Sequence, residues 1–171
     1  MRRRRHPEYR SPKRRYVFPG ERSWPRIVTP ESGARTPCPP FATPEQARER
    51  AQRVRAGTLH EVRLIPDHGS NDALWDTDFG YAARPSDYGL SARLTAELVA
   101  WKDEWLEVQS AYSLTDMSGE SPEMSPEWCS EGARITEQLA QEIWLIGDVI
   151  PTFWSEIAPD PLKIGVLRVA F

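Results

Sequence analysis

No apolar run in this 171-residue chain approaches the roughly 18–20 residues that a membrane-spanning helix needs, so no such helix is written in it. Cysteine is scarce. Cys38 and Cys129 are the two, and neither stands in a Cys-x-x-Cys or Cys/His spacing. A disulfide framework and a cysteine-based zinc site are therefore excluded, and both read as incidental thiols of a reducing compartment. Also missing are Gly-x-Ser-x-Gly, a glycine-rich phosphate loop and His-Glu-x-x-His, the local signatures of hydrolases, nucleotide binders and zinc proteases. The histidines His6, His60 and His68 are not spaced as a metal set. The arginines near the start are not followed by the apolar stretch of a secretory signal, which leaves a cytoplasmic protein as the expectation. No cofactor and no catalytic residue is expected.

What is present is a strong asymmetry of charge. The chain holds 22 Lys+Arg and 25 Asp+Glu, a net charge of −3. Residues 1–65 carry 16 basic and 6 acidic side chains, whereas residues 66–171 carry 6 and 19. Near-neutrality is thus a sum over two unlike pieces.

Residues 1–43 hold eight of the sixteen prolines and few aliphatic side chains. So little apolar surface does not offset about 1–2 kcal/mol of backbone entropy per ordered residue, and the expectation is a disordered basic, Pro-rich arm. Its Arg2, Arg3, Arg4, Arg5, Lys13, Arg14 and Arg15 are candidate polyanion contacts, with Tyr9, Tyr16 and Phe18 interleaved as stacking faces. Residues 44–57 follow as a linker or surface helix: Thr43 caps, Pro44 takes the first helical position and Gly57 stops it.

Residues 58–171 read as an α+β globular domain. His60–Ile65 alternates as a strand and ends at Pro66. The stretch after it, dense in Asp, Gly and Asn, reads as loop. Ser91 then caps a helix whose Leu94, Leu98, Trp101, Trp105 and Val108 recur on one face. Ser125-Pro126-Glu127 starts a second helix through Ile135, Leu139, Ile143 and Ile146 to Gly147. Asp148–Trp154 is an edge strand, weakened by Pro151, and residues 162–171 are a last strand. The pattern is β-α-α-β-β, two amphipathic helices on a small sheet.

The run Val62-Arg63-Leu64-Ile65-Pro66-Asp67-His68-Gly69-Ser70 with Leu74-Trp75-Asp76, then Tyr88-Gly89-Leu90-Ser91, Trp101/Trp105 and Gly132 to Leu139-Ala140, resembles a pattern of small actinobacterial proteins with no assigned activity. The resemblance spans roughly residues 59–154 and departs in having His68 where an aromatic such as tyrosine is expected. It implies the architecture above and no chemistry.

Two clusters are candidates for function. Asp67, His68, Asn71, Asp72, Asp76 and Asp78 lie within twelve residues and have the donor types for a divalent cation or an acid/base pair. The calcium-loop template fails, because Gly80 comes one position early and no glutamate stands at the twelfth, so Asx-turns within the loop are the plainer reading. His60 reads as a surface or satisfied histidine. Trp144 falls off its helix stripe and Trp154 sits at a strand end, which makes both candidate anchors at a protein interface. The function these features favour is a non-enzymatic accessory, immunity- or antitoxin-like protein with a protein partner and no membrane. The alternatives are a nucleic-acid-associated protein using its arm and a metal-dependent enzyme built on the Asp67–Asp78 loop.

Overall fold

The computed structural model describes residues 15–30, 32–69, 72–79, 83–115 and 122–153. Among these residues the architecture is α+β, with three α-helices and two small sheets. Strands β1 (Arg26–Val28) and β2 (Arg35–Pro37) form an antiparallel hairpin, followed by helix α1 (Pro44–Ala56). Strands β3 (His60–Leu64) and β4 (Leu74–Asp76), helices α2 (Ala92–Thr115) and α3 (Pro126–Glu142), and strand β5 (Gly147–Pro151) complete the order. The three-stranded sheet runs β4-β3-β5, with β3 antiparallel to β4 and parallel to β5.

The helix ends follow their expected caps. The Thr43 hydroxyl accepts from the Gln46 N–H, the Gln46 side chain accepts from the Thr43 N–H, and Gly57 closes α1 at φ 66° in the left-handed region. The Ser91 hydroxyl accepts from the Leu94 N–H, and the Ser125 hydroxyl from the Trp128 N–H. A further cap comes from across the fold. Glu142, the last residue of α3, accepts from the Ser91 N–H at 2.7 Å and from its hydroxyl at 2.6 Å, which ties the end of α3 to the start of α2.

The core lies between the sheet and the α2–α3 pair. Leu94, Leu98, Trp101 and Trp105 present the buried face of α2, as their spacing predicts, and Trp128, Ile135 and Leu139 present that of α3. At the crossing, Trp101 and Trp128 stack with centroids 4.3 Å apart. Each indole N–H donates to the other residue's carbonyl, at 3.1 and 2.9 Å. Large apolar rings are thus buried with both polar handles satisfied. Gly132 permits the approach, since a Cβ there would lie 2.9 Å from both the Trp101 and Phe153 rings.

Three expectations need correction. Leu74–Asp76 is a strand, not loop, because Leu74 and Asp76 both turn to the buried face of β3 across a three-residue ladder. Helix α3 ends at Glu142, and Ile143 and Ile146 sit in the turn before β5, which starts at Gly147. Within residues 1–43, the described part is ordered. Tyr16 donates its N–H to the Val149 carbonyl at 2.7 Å and so covers part of the β5 edge, while Phe18 is buried. The physical reason is aromatic: Phe18, Trp24 and Phe41, separated in sequence, meet with centroids 5.2–5.8 Å apart and offer the apolar surface that aliphatic side chains do not supply. Helix α1 keeps the mostly exposed surface expected of a surface helix and packs on the rest of the chain through buried Ala47 and Ala51 and through Arg50. Arg50 donates to the Trp144 and Gly147 carbonyls and pairs with Asp148 at 2.5 Å. The expected strand over 162–171 lies outside the described residues.

Candidate functional site

The antiparallel pairing of β3 with β4 sets Val62 opposite Asp76. His60, two residues before Val62, therefore shares its face and reaches Asp76 diagonally across the ladder. The His60 Nδ1 lies 2.9 Å from Asp76 Oδ2 and 3.6 Å from a carboxylate oxygen of Asp78. An ionised carboxylate only accepts, so Nδ1 carries the proton and donates to Asp76. The Asp76 side chain is fully buried, whereas that of Asp78 is 66 % exposed.

The buried carboxylate is well supplied with donors. The Tyr88 hydroxyl donates to Asp76 Oδ2 at 2.8 Å and the Asp78 N–H donates to Oδ1 at 2.8 Å. Burial pushes the Tyr88 hydroxyl well above its ordinary value, and the adjacent Asp76 carboxylate pushes it further the same way. Tyr88 is thus a fixed neutral donor. The Phe79 ring stacks on the imidazole, 5.2 Å away and 13° from parallel, and is itself exposed. His60, Asp76 and Asp78 are, among the described residues, the group whose His and carboxylate ligand atoms all lie within 4.8 Å of one another.

The expected Asp-rich cluster is therefore divided. Asp76 and Asp78 come together with His60, which the sequence reading set aside, while Asp67, His68 and Asp72 do not join them. His68 instead lies against the Trp105 ring, 4.8 Å between centroids. Asn71 falls outside the described residues. The signal for His60 was its place two residues before Val62, legible only once β4 is recognised as the partner strand.

Trp144 is not an exposed anchor. It is 8 % exposed, with the Arg50 guanidinium 5.0 Å over its ring and Phe41 edge-on at 6.0 Å. Both covers come from the N-terminal region, whose packing the sequence reading did not foresee. Trp154 lies outside the described residues, as do Arg2, Arg3, Arg4, Arg5, Lys13 and Arg14. Arg15 is paired with Glu21 at 2.5 Å.

Charge on the two long helices is predominantly acidic. Asp103, Glu104 and Glu107 on α2 and Glu127 and Glu137 on α3 are exposed, whereas Lys102 is buried. Arg134 is bound to Glu97 at 2.9 Å and Glu131 at 2.5 Å; Arg93 and then Arg134 hold the Glu97 carboxyl below its ordinary range, and Arg134 does the same to Glu131. No helix among the described residues is long and apolar enough to cross a membrane.

A three-stranded sheet backed by two amphipathic helices, with a hydrogen-bonded His–Asp–Tyr network and an acidic helical surface, defines a small α+β protein. The model of the Serratia CdiI immunity protein-like family matches residues 60–149, from the first residue of β3 into β5, and the chain belongs to that family. The actinobacterial group suggested by sequence motifs gains no support from this match. No curated protein and no solved structure matches the chain.

Proposed function

We propose that the chain is an immunity protein that acts by binding a protein toxin, without catalysing a reaction. The observation that carries this reading is the family match over residues 60–149, which includes the whole sheet–helix unit apart from the end of β5. The exposed acids of α2 and α3 support a finer reading, in which the partner presents a basic surface. Complementary charge of this kind raises association rates and specificity more than it raises affinity alone.

The test is co-expression with a candidate protein toxin from the source organism. Growth is restored, and a stoichiometric complex is recovered. The paired change Glu104→Lys with Glu107→Lys slows association and makes it less sensitive to salt. Failure to protect and failure to form a complex contradict the reading. Protection with an unaltered salt dependence in the charge-reversed variant removes only the acidic-face part.

A further inference from the structure

We propose that His60, Asp76 and Asp78 bind one zinc ion, which fastens β3, β4 and the turn after β4 together. The donors are one imidazole nitrogen and two carboxylate oxygens, a ligand set zinc accepts readily. Tetrahedral coordination at about 2.0–2.2 Å places neighbouring donor atoms about 3.3–3.6 Å apart. Here the His60 Nδ1 is 2.9 Å from the Asp76 oxygen and 3.6 Å from the Asp78 oxygen, and all three donor atoms lie within 4.8 Å of one another, so an adjustment of one side chain closes the set. The flexible partner is Asp78, the exposed member, whereas Asp76 and the strand pair that carries it are held in place.

Charge argues the same way. Two carboxylates face a single imidazole nitrogen, and with a neutral imidazole the group carries two negative charges, which a divalent cation neutralises. Binding moves the imidazole proton from Nδ1 to Nε2, leaving a neutral imidazole on the metal with no net change in protons. The Nδ1–H to Asp76 hydrogen bond is replaced by two metal–ligand bonds.

The surroundings are those that orient metal ligands. Tyr88 and the Asp78 N–H each donate to Asp76, one to each oxygen, and so fix the carboxylate from behind. Phe79 stacked on His60 fixes the plane of the ring. Gly147 pairs with His60 in register on β5, and a Cβ there would come within 3.2 Å of the His60 Cβ, so the backbone at this position is closely packed too. Three protein ligands leave a fourth position on the exposed Asp78 side for water or a donor from another molecule. Calcium, which takes six to eight oxygens, and magnesium, which holds its waters, are poorly served by this set.

The experiment is calorimetric titration of the full chain with zinc sulfate, with magnesium and calcium chlorides as parallel titrations. One saturable equivalent of zinc is expected, with no comparable binding of the other two. Asp78→Ala, at an exposed position, weakens zinc by roughly tenfold or more while the circular dichroism spectrum stays unchanged. His68→Ala leaves zinc binding as it was. The His60 side-chain nitrogen resonances shift on zinc addition, which reads the ligand directly even where a His60 variant folds poorly. A titration without a saturable zinc phase overturns the proposal, as does zinc binding that Asp78→Ala leaves intact with the His60 resonances unmoved.

Discussion

Residues 15–57 and residues 60–153 are held by different means. The second region, which contains the family match, buries a continuous core of aliphatic side chains and stacked indoles between a sheet and two helices. The first has two three-residue strands, one helix with only alanines on its buried face, and an aromatic cluster of Phe18, Trp24 and Phe41. Tyr16, Phe18 and Ala47 join the buried cluster of the second region, and the links across include the Tyr16–Val149 backbone bond, Phe41 on Trp144, and the Arg50 fork on Trp144, Gly147 and Asp148. The lesson is that the N-terminal region is fastened to the family unit at α3, at the turn before β5 and at β5 itself.

The largest effect is expected from Trp128→Ala, which removes a fully packed indole, the ring stacked on Trp101 and the donor to the Trp101 carbonyl. A loss of about 3–5 kcal/mol in urea unfolding follows, and both regions lose protection together. Arg50→Ala separates the two regions. It leaves the Trp144 and Gly147 carbonyls without their donor and Asp148 without its cation, at about 2–3 kcal/mol. Hydrogen exchange checks where the loss falls: the Tyr16 amide exchanges faster, while the Val62 amide keeps its protection against local opening. If both amides respond equally, the regions are one cooperative unit and the comparison fails.

Gly132→Ala is next. Helix propensity favours alanine by about 1 kcal/mol, but the new Cβ meets two rings packed at 2.9 Å. Overpacking of about 1–3 kcal/mol wins, and the melting temperature falls. Ser91→Ala removes the cap of α2 and one of its two bonds to Glu142, for about 1 kcal/mol.

How far the sequence foretold this division depends on the range of the signals. The caps of all three helices are short-range chemistry, carried by Thr43, Ser91 and Ser125, and were legible. So was the stripe from Leu94 to Trp105, since helical spacing marks a buried face whatever lies opposite. Strand β4 was not, because three residues are too few to show alternation and Asp76 disguises the buried side. The N-terminal aromatics meet only through tertiary contact, so their composition reads as loop until Trp144 and Arg50 are placed. The His60–Asp76 pair is a diagonal across a ladder, invisible without the register.

The smallest expected effect is on alkaline stability. Burial first, then Asp76, raises the Tyr88 hydroxyl; burial first, then Glu137, does the same for Tyr16. In each case the folded state holds the proton more tightly than the unfolded one. The contribution is complete below the ordinary tyrosine value of about 10 and is lost as pH rises past it. Melting curves between pH 8 and 11 therefore fall more gently for Tyr88→Phe than for the unaltered chain. Tyr16→Phe has the same effect confined to the N-terminal region.

The central claim is that this chain binds and neutralises a protein partner. The most direct measurement is the affinity of the purified full chain for the candidate toxin, made alongside the toxin's activity in the same tube. The account predicts a one-to-one complex whose formation abolishes toxin activity in step with occupancy. Full toxin activity in the presence of excess chain, with no complex formed, contradicts it.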